Sequence, residues 1–235
     1  MADNAPDAAN EAAGVGEGRM KLLELEAIPV GALAANCYLV ICPATQQALV
    51  VDPGDAAERI LARITARGVT VVGIAHTHGH FDHISATEAV QAGLPQRVPV
   101  LAHPADAFLY TPEGRSRGAA YGYPQPSELM QPDHLLTDDE VIPIGAGSLT
   151  VLTTPGHTPG SVTLLANDFQ FAISGDTLFR RGIGRTDLLG GDEEAIYVSI
   201  ATRLYTLPVE LPVYPGHGGA TTIGEERRLN PFIRG

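Results

Sequence analysis

Four histidines and one aspartate stand within nine residues, in the segment Ala75-His-Thr-His-Gly-His-Phe-Asp-His83. Side chains two residues apart point the same way in an extended segment, so His78 and His80 could bind one metal ion together. Asp82 and His83 are adjacent and point in different directions, so they could serve a second metal ion beside the first. Imidazole and carboxylate groups at this spacing predict a metal site rather than a solvated polar loop.

The residues around this histidine-rich segment predict how it is positioned. The apolar run 69–75 in front of it is typical of a buried strand, and α/β proteins form sites beyond the carboxyl ends of such strands. Three later predicted strands also end in a candidate ligand: 147–154 before His157, 169–174 before Asp176, and 210–214 before His217. Each of these three residues would be an ordinary loop residue if it stood alone.

The remaining apolar segments predict further strands and two helices. Strands are expected at 22–30, 36–41, 48–52, 98–103 and 161–166. Helices are expected at 56–67 and 84–92. The strand 161–166 should form a hairpin with 169–174 around Asn167 and Asp168.

Several polar residues near these elements allow two interpretations. Asp52 closes a strand, so it is either a turn carboxylate or a group that supports the metal site. His76, His103 and His134 are expected to be hydrogen-bonded or solvated rather than ligands. Residues 104–138 form an irregular stretch with three tyrosines and two arginines. That stretch is either a substrate-covering loop or a plain surface excursion.

Composition and charge limit the class of protein. A chain of 235 residues with 44% hydrophobic and 18% charged residues suits one large domain, or one domain with an appendage. The formal net charge of −12 argues against nucleic acid or an anionic membrane as a partner. Cys37 and Cys42 are too few for a disulfide framework and are expected to be small buried side chains. A reducing, cytoplasmic setting fits this composition.

Residues 1–19 differ from the rest of the chain. They are rich in Ala, Asp, Asn, Gly and Glu, and Arg19 is their one cation. They carry neither the basic start and apolar middle of a secretory signal nor the basic character of a transit peptide. We expect a disordered acidic leader at 1–19, with the folded domain at 20–235.

The histidine-rich segment resembles the T-H-x-H-x-D-H signature of the metallo-β-lactamase superfamily, and the later ligands follow in that family's order. The resemblance implies an α/β fold, the four-layer αβ/βα sandwich, with two divalent transition metals per chain. Zinc is the foremost candidate, and iron and manganese are alternatives. The resemblance also implies the ligand sets: His78, His80 and His157 for metal 1, Asp82, His83 and His217 for metal 2, and Asp176 as the bridge.

Three further motifs narrow the resemblance to small glyoxalase II-like proteins, which are similar to hydroxyacylglutathione hydrolase. They are Ser174-Gly-Asp-Thr-Leu-Phe179, Gly184-Arg-Thr-Asp187 and Pro215-Gly-His-Gly218. This implies a thioester hydrolase that acts on S-D-lactoylglutathione, or a similar glutathione-derived hydroxyacyl thioester, by attack of a metal-bridging hydroxide. Asp82 would orient that hydroxide. Arg185 occupies a place similar to a glutathione-contacting lysine, although a salt bridge with Asp187 is the alternative.

The sequence also departs from that enzyme. Full-length glyoxalase II has a further C-terminal helical domain that binds glutathione, whereas this sequence ends shortly after Phe232. Gly218 and Gly219 stand where that enzyme has a glutamate and a tyrosine. A mono-iron persulfide dioxygenase of the same fold, using His78, His157 and Asp176 alone, is the competing enzyme class. A β-lactamase and a non-catalytic metal-stabilised module are weaker alternatives.

Overall fold

The first half of the chain forms a six-stranded sheet in the computed structural model, which describes residues 22–124 and 130–235. Its strands lie side by side in chain order: β1 (Glu24–Val30), β2 (Ala35–Cys42), β3 (Gln47–Val51), β4 (Thr70–Ala75), β5 (Val100–Ala102) and β6 (His134–Leu135). β1, β2 and β3 pair antiparallel, and β3 to β6 pair parallel. The parallel pairs require crossover connections, which helices supply.

The crossovers of this first sheet are α1 (Ala57–Arg67), between β3 and β4, and the pair α2 (Phe81–Ile84) and α3 (Thr87–Gly93), between β4 and β5. The connection from β5 to β6 contains a 3₁₀ helix at Pro104–Tyr110, then α4 (Pro112–Arg115) and a second 3₁₀ helix at Ser116–Tyr121. The part of the predicted irregular stretch from 104 to 121 is therefore built largely from short helical turns.

The second half of the chain forms a second six-stranded sheet. Its elements in chain order are β7 (Val141–Ile144), β8 (Gly147–Thr153), β9 (Val162–Ala166), β10 (Ala172–Gly175), β11 (Leu178–Phe179), β12 (Gly182–Ile183), α5 (Glu193–Ser199), β13 (Pro212–Pro215), β14 (Thr221–Thr222) and α6 (Ile223–Leu229). The sheet order is β14-β13-β10-β9-β8-β7, while β11 and β12 form a separate small hairpin.

Three hydrophobic clusters hold these elements in four layers. The central cluster fills the space between the two sheets and includes Tyr38, Leu49, Ile144, Val151 and Leu164. A second cluster packs the outer face of the first sheet on α1 and α3. A third packs the outer face of the second sheet on α5 and α6. Helix, sheet, sheet and helix form the αβ/βα sandwich, which confirms the predicted fold class.

β2 shows why both faces of a sheet become buried. Tyr38, Val40 and Cys42 belong to the cluster between the sheets, while Cys37 and Leu39 belong to the cluster beneath the helices. Successive side chains of a strand point to opposite faces, so an apolar run such as this one contributes to both layers. Both cysteines are free and buried, as predicted.

One predicted element is wrong. The expected helix 84–92 is interrupted, because α2 ends at Ile84 and α3 begins at Thr87. The Ala86 N–H donates to the carbonyl of Pro53 at 2.9 Å instead of continuing the helix. A tertiary contact therefore overrides local helical propensity. The hairpin around Asn167 is confirmed by the antiparallel pairing of β9 and β10.

Two expectations fall partly or wholly outside the described part of the chain. The disordered leader predicted at 1–19 lies outside it and stays a prediction, as does the domain boundary at 20. Of the stretch 104–138, residues 125–129 are not described. Among the described residues, no helix is both long enough and apolar enough to cross a bilayer.

Candidate metal centre

All seven predicted ligands lie at one edge of the sandwich, beyond the carboxyl ends of four strands. His78 and His80 follow β4, Asp82 and His83 lie in α2, and the remaining ligands His157, Asp176 and His217 follow β8, β10 and β13. Three groups of possible ligands form there, each with its ligand atoms within 4.8 Å of one another: His78, His80 and His157; Asp82, His83 and His217; and Asp52, His78 and His83. We call the first two groups the two triads. These are the two sets predicted for metals 1 and 2.

The carboxylate of Asp176 lies between the two triads. Its Oδ2 atom is 3.6 Å from Nε2 of His157 and 3.7 Å from Nε2 of His217. Its Oδ1 atom is 3.5 Å from Nε2 of His83. One carboxylate thus faces ligands of both triads, which is the position that a bridging ligand requires.

Hydrogen bonds orient three of the imidazoles. Nδ1 of His157 donates to the carbonyl oxygen of Arg185 at 2.8 Å, and Nδ1 of His217 donates to that of Leu33 at 3.0 Å. Nδ1 of His83 contacts Oδ2 of Asp52 at 3.0 Å. A neutral imidazole that donates from Nδ1 has its lone pair on Nε2. All three Nε2 atoms face the centre, and this orientation of the rings is typical of metal-binding histidines.

The donor atoms of the triads are arranged to bind metal ions rather than to form hydrogen bonds with one another. Nε2 of His83 and Nε2 of His217 lie 3.3 Å apart although both carry lone pairs in these tautomers. Nε2 of His78 and Oδ1 of Asp176 are buried and have no hydrogen-bond partner among the residues that the structure describes. Buried polar atoms are normally satisfied, so unpaired ones need an explanation. A cation held by each triad, with Asp176 shared between the two, would interact favourably with all four atoms.

The two triads differ in their electrostatics. Burial lowers the pKa of His80 to about 3, and burial together with the neighbouring imidazoles lowers the pKa of His78 well below its usual value. Burial also opposes the charge on His83, but Asp176, Asp82 and Asp52 raise its pKa to about 10. Burial alone would raise the pKa of Asp82, yet His83 and His217 lower it well below its usual range. The carboxylates of Asp52, Asp82 and Asp176 therefore favour positive charge at the second triad, whereas burial disfavours it at the first.

Asp52 supports the site rather than serving only as a turn residue. It is fully buried just after β3 and adopts a left-handed backbone conformation with φ of 52°. Its carboxylate accepts hydrogen bonds from the N–H of Thr77 at 2.7 Å and from its hydroxyl at 2.6 Å, in addition to the contact with His83. It thereby holds both ends of the segment that carries the ligands.

Asp106 is a buried carboxylate that sequence analysis missed. It lies in the 3₁₀ helix Pro104–Tyr110 and accepts hydrogen bonds from residues of two different ligand loops. No periodicity or motif marks it in the sequence. His76, by contrast, behaves as predicted: its ring contacts the hydroxyls of Tyr110 and Thr87 and is buried among them. It belongs to neither triad.

The sequence profile described as the metallo-beta-lactamase superfamily matches residues 30–217. The chain belongs to this superfamily. Among curated relatives, a probable metallo-hydrolase, YqgX of Bacillus subtilis (strain 168), is 40% identical over 214 residues, which cover 88% of this chain and 96% of the relative. Hydroxyacylglutathione hydrolase GloC of Haemophilus influenzae is 35% identical over 214 residues, covering 90% and 98% of the two chains. The chain is accordingly a metallo-hydrolase of the superfamily.

Solved metallo-β-lactamase-fold structures agree. The B3 metallo-β-lactamase BLEG-1 superposes with a TM-score of 0.81 at 36% identity, covering 90% of this chain and all of that one. TTHA1623, solved in a di-iron-bound form, gives 0.77 at 37% identity, covering 88% of this chain and all of that one. ETHE1 from Myxococcus xanthus gives 0.73 at 28% identity, covering 88% and 83% of the two chains. The predicted family and fold are confirmed.

A cavity of about 860 Å³ opens over the metallo-β-lactamase-type centre. Its floor contains five of the ligands, namely His80, Asp82, His157, Asp176 and His217. Its walls are largely apolar, with Phe81, Phe108, Leu109, Leu188 and Leu189 among them. A second cavity, of about 940 Å³ beside α1 and α3, contains none of the seven ligands. The cavity over the centre is therefore the candidate substrate site.

Arg185 lines this cavity and is also paired. Its Nε and Nη2 atoms donate to the two carboxylate oxygens of Asp187, each at 2.7 Å. Both side chains are more than half exposed. The salt bridge considered from sequence is thus present, and the backbone carbonyl of Arg185 has the further role of orienting His157.

Proposed function

We propose that this protein is a binuclear metal-dependent thioester hydrolase of glyoxalase II type, acting on S-D-lactoylglutathione or a similar glutathione-derived hydroxyacyl thioester. The observation that carries this proposal is the assembly of two complete ligand triads around one shared carboxylate, Asp176. The name of the GloC relative supports the substrate class. We favour zinc, with iron or manganese as alternatives, since imidazole and carboxylate ligands suit all three.

The chemistry of hydrolysis would be divided between the metals and the chain. Two divalent metals in such a centre supply hydroxide at neutral pH and polarise a carbonyl oxygen. The residues of each triad would hold one metal, and Asp176 would fix the distance between the two. Asp82 would be ionised when it holds a metal, because a ligating carboxylate is deprotonated. Its carboxylate is therefore available to orient the attacking water.

The leaving group makes no demand for a strong general acid. A thiolate departs readily because the pKa of a thiol is about 8.5. The apolar walls of the cavity limit access of bulk water to the reacting carbonyl, and apolar surroundings strengthen electrostatic interactions at the floor. Arg185 remains a candidate for contacting the substrate, in which case its bond to Asp187 would have to open. We further infer a cytoplasmic protein from the free thiols of Cys37 and Cys42.

The competing activities predict different metal and substrate requirements. A mono-iron persulfide dioxygenase would need only His78, His157 and Asp176, and would leave the triad of Asp82, His83 and His217 without a role. That triad is complete here, which favours hydrolysis. A β-lactamase activity is included in the test below because BLEG-1 bears that name.

Loss of the second triad should distinguish these activities. We expect Asp82→Ala and His217→Ala each to reduce hydrolysis of S-D-lactoylglutathione by at least about a hundredfold. Residues that only orient metal ligands usually cost about 10–100-fold in activity, and loss of a ligand itself should cost more. His134→Ala is the matched control, because that imidazole contacts Glu140 away from the centre. Turnover is measured by thiol release, and metal content by elemental analysis, with two metals per chain expected in the wild type.

Other results would replace the proposal. If both variants keep near-wild-type turnover at saturating metal, the binuclear mechanism is wrong. One iron per chain, with oxygen consumed on glutathione persulfide, would establish the dioxygenase. Hydrolysis of a chromogenic cephalosporin without hydrolysis of any thioester would establish the β-lactamase.

A further inference from the structure

One helical face of the cavity carries charged side chains that the mechanism does not use. Glu113, Arg117 and Tyr121 follow one another at four-residue spacing through α4 and the 3₁₀ helix Ser116–Tyr121. All three side chains line the same cavity, so they form one wall of it. A carboxylate, a guanidinium and a phenol ring therefore face the space above the metal ligands.

The protein does not neutralise the two charges on this face. Within residues 22–124 and 130–235, neither the Glu113 carboxylate nor the Arg117 guanidinium takes part in a hydrogen bond or ion pair. Arg185, across the cavity, is bound to Asp187 through both carboxylate oxygens. Arg117 is therefore the guanidinium that is available to a ligand, and a free carboxylate lies one helical turn away from it.

We propose that this face binds the amino-acid end of the substrate's thiol arm, with Arg117 taking a carboxylate and Glu113 an ammonium group. The proposal rests on the thioester hydrolysis proposed above and names the part of the substrate that is recognised. A guanidinium matches a carboxylate in a bidentate geometry. Adjacent opposite charges match a zwitterion, whereas Glu113 would repel a ligand that is only anionic. Tyr121, stacked on Phe81 with ring centroids 5.9 Å apart, offers an apolar surface for the uncharged part of the arm.

Two thioesters with the same acyl group test this assignment. S-D-lactoylglutathione carries an amino-acid end, and the D-lactoyl thioester of N-acetylcysteamine is neutral. We expect Arg117→Gln to raise KM for the glutathione thioester about tenfold, the lower range for a charged hydrogen bond, with kcat nearly unchanged. Glu113→Gln should raise that KM severalfold. Neither variant should change KM for the neutral thioester. The control is Arg97→Gln, which alters an arginine outside this cavity and should leave KM for both thioesters unchanged.

A binding measurement separates this proposal from the proposed activity. S-methylglutathione has no free thiol, and its binding to the zinc-loaded protein can be followed by calorimetry without turnover. If no thioester is hydrolysed but Arg117→Gln still weakens this binding about tenfold, the proposed binding face is supported and the proposed hydrolase activity is wrong. Equal changes of KM for both thioesters, or wild-type binding of S-methylglutathione by Arg117→Gln, would overturn the binding face.

A second inference comes from Asp106 and concerns the metal centre itself. Its Oδ2 atom accepts hydrogen bonds from the N–H of Gly79 and the hydroxyl of Thr158, both at 2.8 Å. Its Oδ1 atom accepts from the N–H of Gly160 at 2.7 Å. Gly79 lies between the ligands His78 and His80, while Thr158 follows His157. One buried carboxylate therefore connects the two loops that form the first triad.

We infer that Asp106 is a positioning residue for metal 1. The two loops follow strands of different sheets, β4 and β8, and the backbone bond from the Val162 N–H to the Thr77 carbonyl, at 2.8 Å, joins them outside the ligand positions. Both carboxylate oxygens of Asp106 are acceptors, and all three of its partners are donors. In Asp106→Asn one oxygen becomes an amide group, which cannot accept, so at least one of the three bonds is lost in either orientation. The side chain keeps its size, so the change isolates the hydrogen bonds.

Metal binding measures this role independently of catalysis. We expect Asp106→Asn to weaken the first-triad site for Co²⁺ by about 10–100-fold, the range found for groups that orient metal ligands. The visible Co²⁺ spectrum should change as well. Asp133→Asn is the matched control, since Asp133 also accepts from a backbone N–H, that of Val100 at 2.9 Å, but lies away from the centre.

The outcomes are distinct for a positioning and a purely structural role. If Asp106→Asn melts earlier but binds two Co²⁺ ions with wild-type affinity and spectrum, the inference is wrong. Should that variant fail to fold, Thr158→Val removes the hydroxyl that donates to Asp106, together with its contact to Oγ of Ser161 at 2.8 Å, and should weaken the first-triad site severalfold. Wild-type Co²⁺ affinity in a folded Thr158→Val would overturn the inference in that case.

Discussion

Asp176→Asn should remove most of the metal content and reduce hydrolysis by roughly a thousandfold, beyond the 10–100-fold typical of residues that only orient ligands. Asp176 is the carboxylate that faces both triads, with contacts of 3.5 to 3.7 Å to Nε2 of His83, His157 and His217. An amide in its place keeps the shape but loses the negative charge that balances two dications. Elemental analysis after dialysis and thioester turnover at saturating metal measure the two effects.

The control for this substitution is an exposed aspartate. Asp139→Asn changes the same chemical group, but the Asp139 side chain is 77% exposed and its carboxylate pairs with Arg203, at 3.4 Å, away from the centre. It should retain two metals and full turnover. If Asp176→Asn also retains two metals and loses less than tenfold in turnover, Asp176 does not bridge the centre and the assignment of the two triads must be revised.

Gly216→Ala should disrupt the metal centre by a steric clash, without changing any charged group. A Cβ atom at Gly216 would lie 2.0 Å from Oδ1 of Asp176 and 2.8 Å from Cε1 of His83. The backbone has little freedom to withdraw, because the Gly216 N–H donates to Gly175 at 2.8 Å and its carbonyl accepts from Asn36 at 2.7 Å. The extra methyl group must therefore displace Asp176 or strain the strand end, and either outcome lowers metal affinity.

The expected cost of Gly216→Ala is about 1–3 kcal/mol of folding free energy, the usual range for overpacking. For a chain of this size that corresponds to a fall in Tm of roughly 3–10 °C. Gly219→Ala is the matched control, since a Cβ there meets no atom within 4 Å. Calorimetric melting and metal analysis of both variants are the measurements. Equal Tm and equal metal content in the two variants would refute the steric argument.

The sequence by itself determined the fold class and identified the candidate ligands. His78, His80, Asp82 and His83 stand close together in the chain, so their spacing is visible without any tertiary information. The later ligands could be found because apolar strands with turn residues precede them, and strand ends are where such folds place their sites. The alternation of the β2 side chains between the two faces of the sheet likewise follows from local geometry.

Only the tertiary structure decided which groups support these ligands. Asp106 is 27 residues from Gly79 and 52 residues from Thr158, and the carbonyl of Leu33 is 184 residues from His217. Backbone carbonyls carry no sequence signal, and a lone aspartate in an irregular stretch has none either. The break between α2 and α3 has the same origin, a contact with Pro53 that is remote in sequence.

The tertiary structure also decided which arginine of the cavity forms an ion pair with an aspartate. From sequence, Arg185 could contact the substrate or pair with Asp187, and both interpretations rest on the same residues. The structure places Arg185 on Asp187 and leaves Arg117 facing the cavity beside Glu113. Local chemistry therefore specified which side chains are the candidate metal ligands. Contacts between distant segments fix the orientation of these side chains and the pairing of charged groups in the cavity. Packing of the two sheets therefore decided how the candidate ligands are held and which charged groups of the cavity are paired.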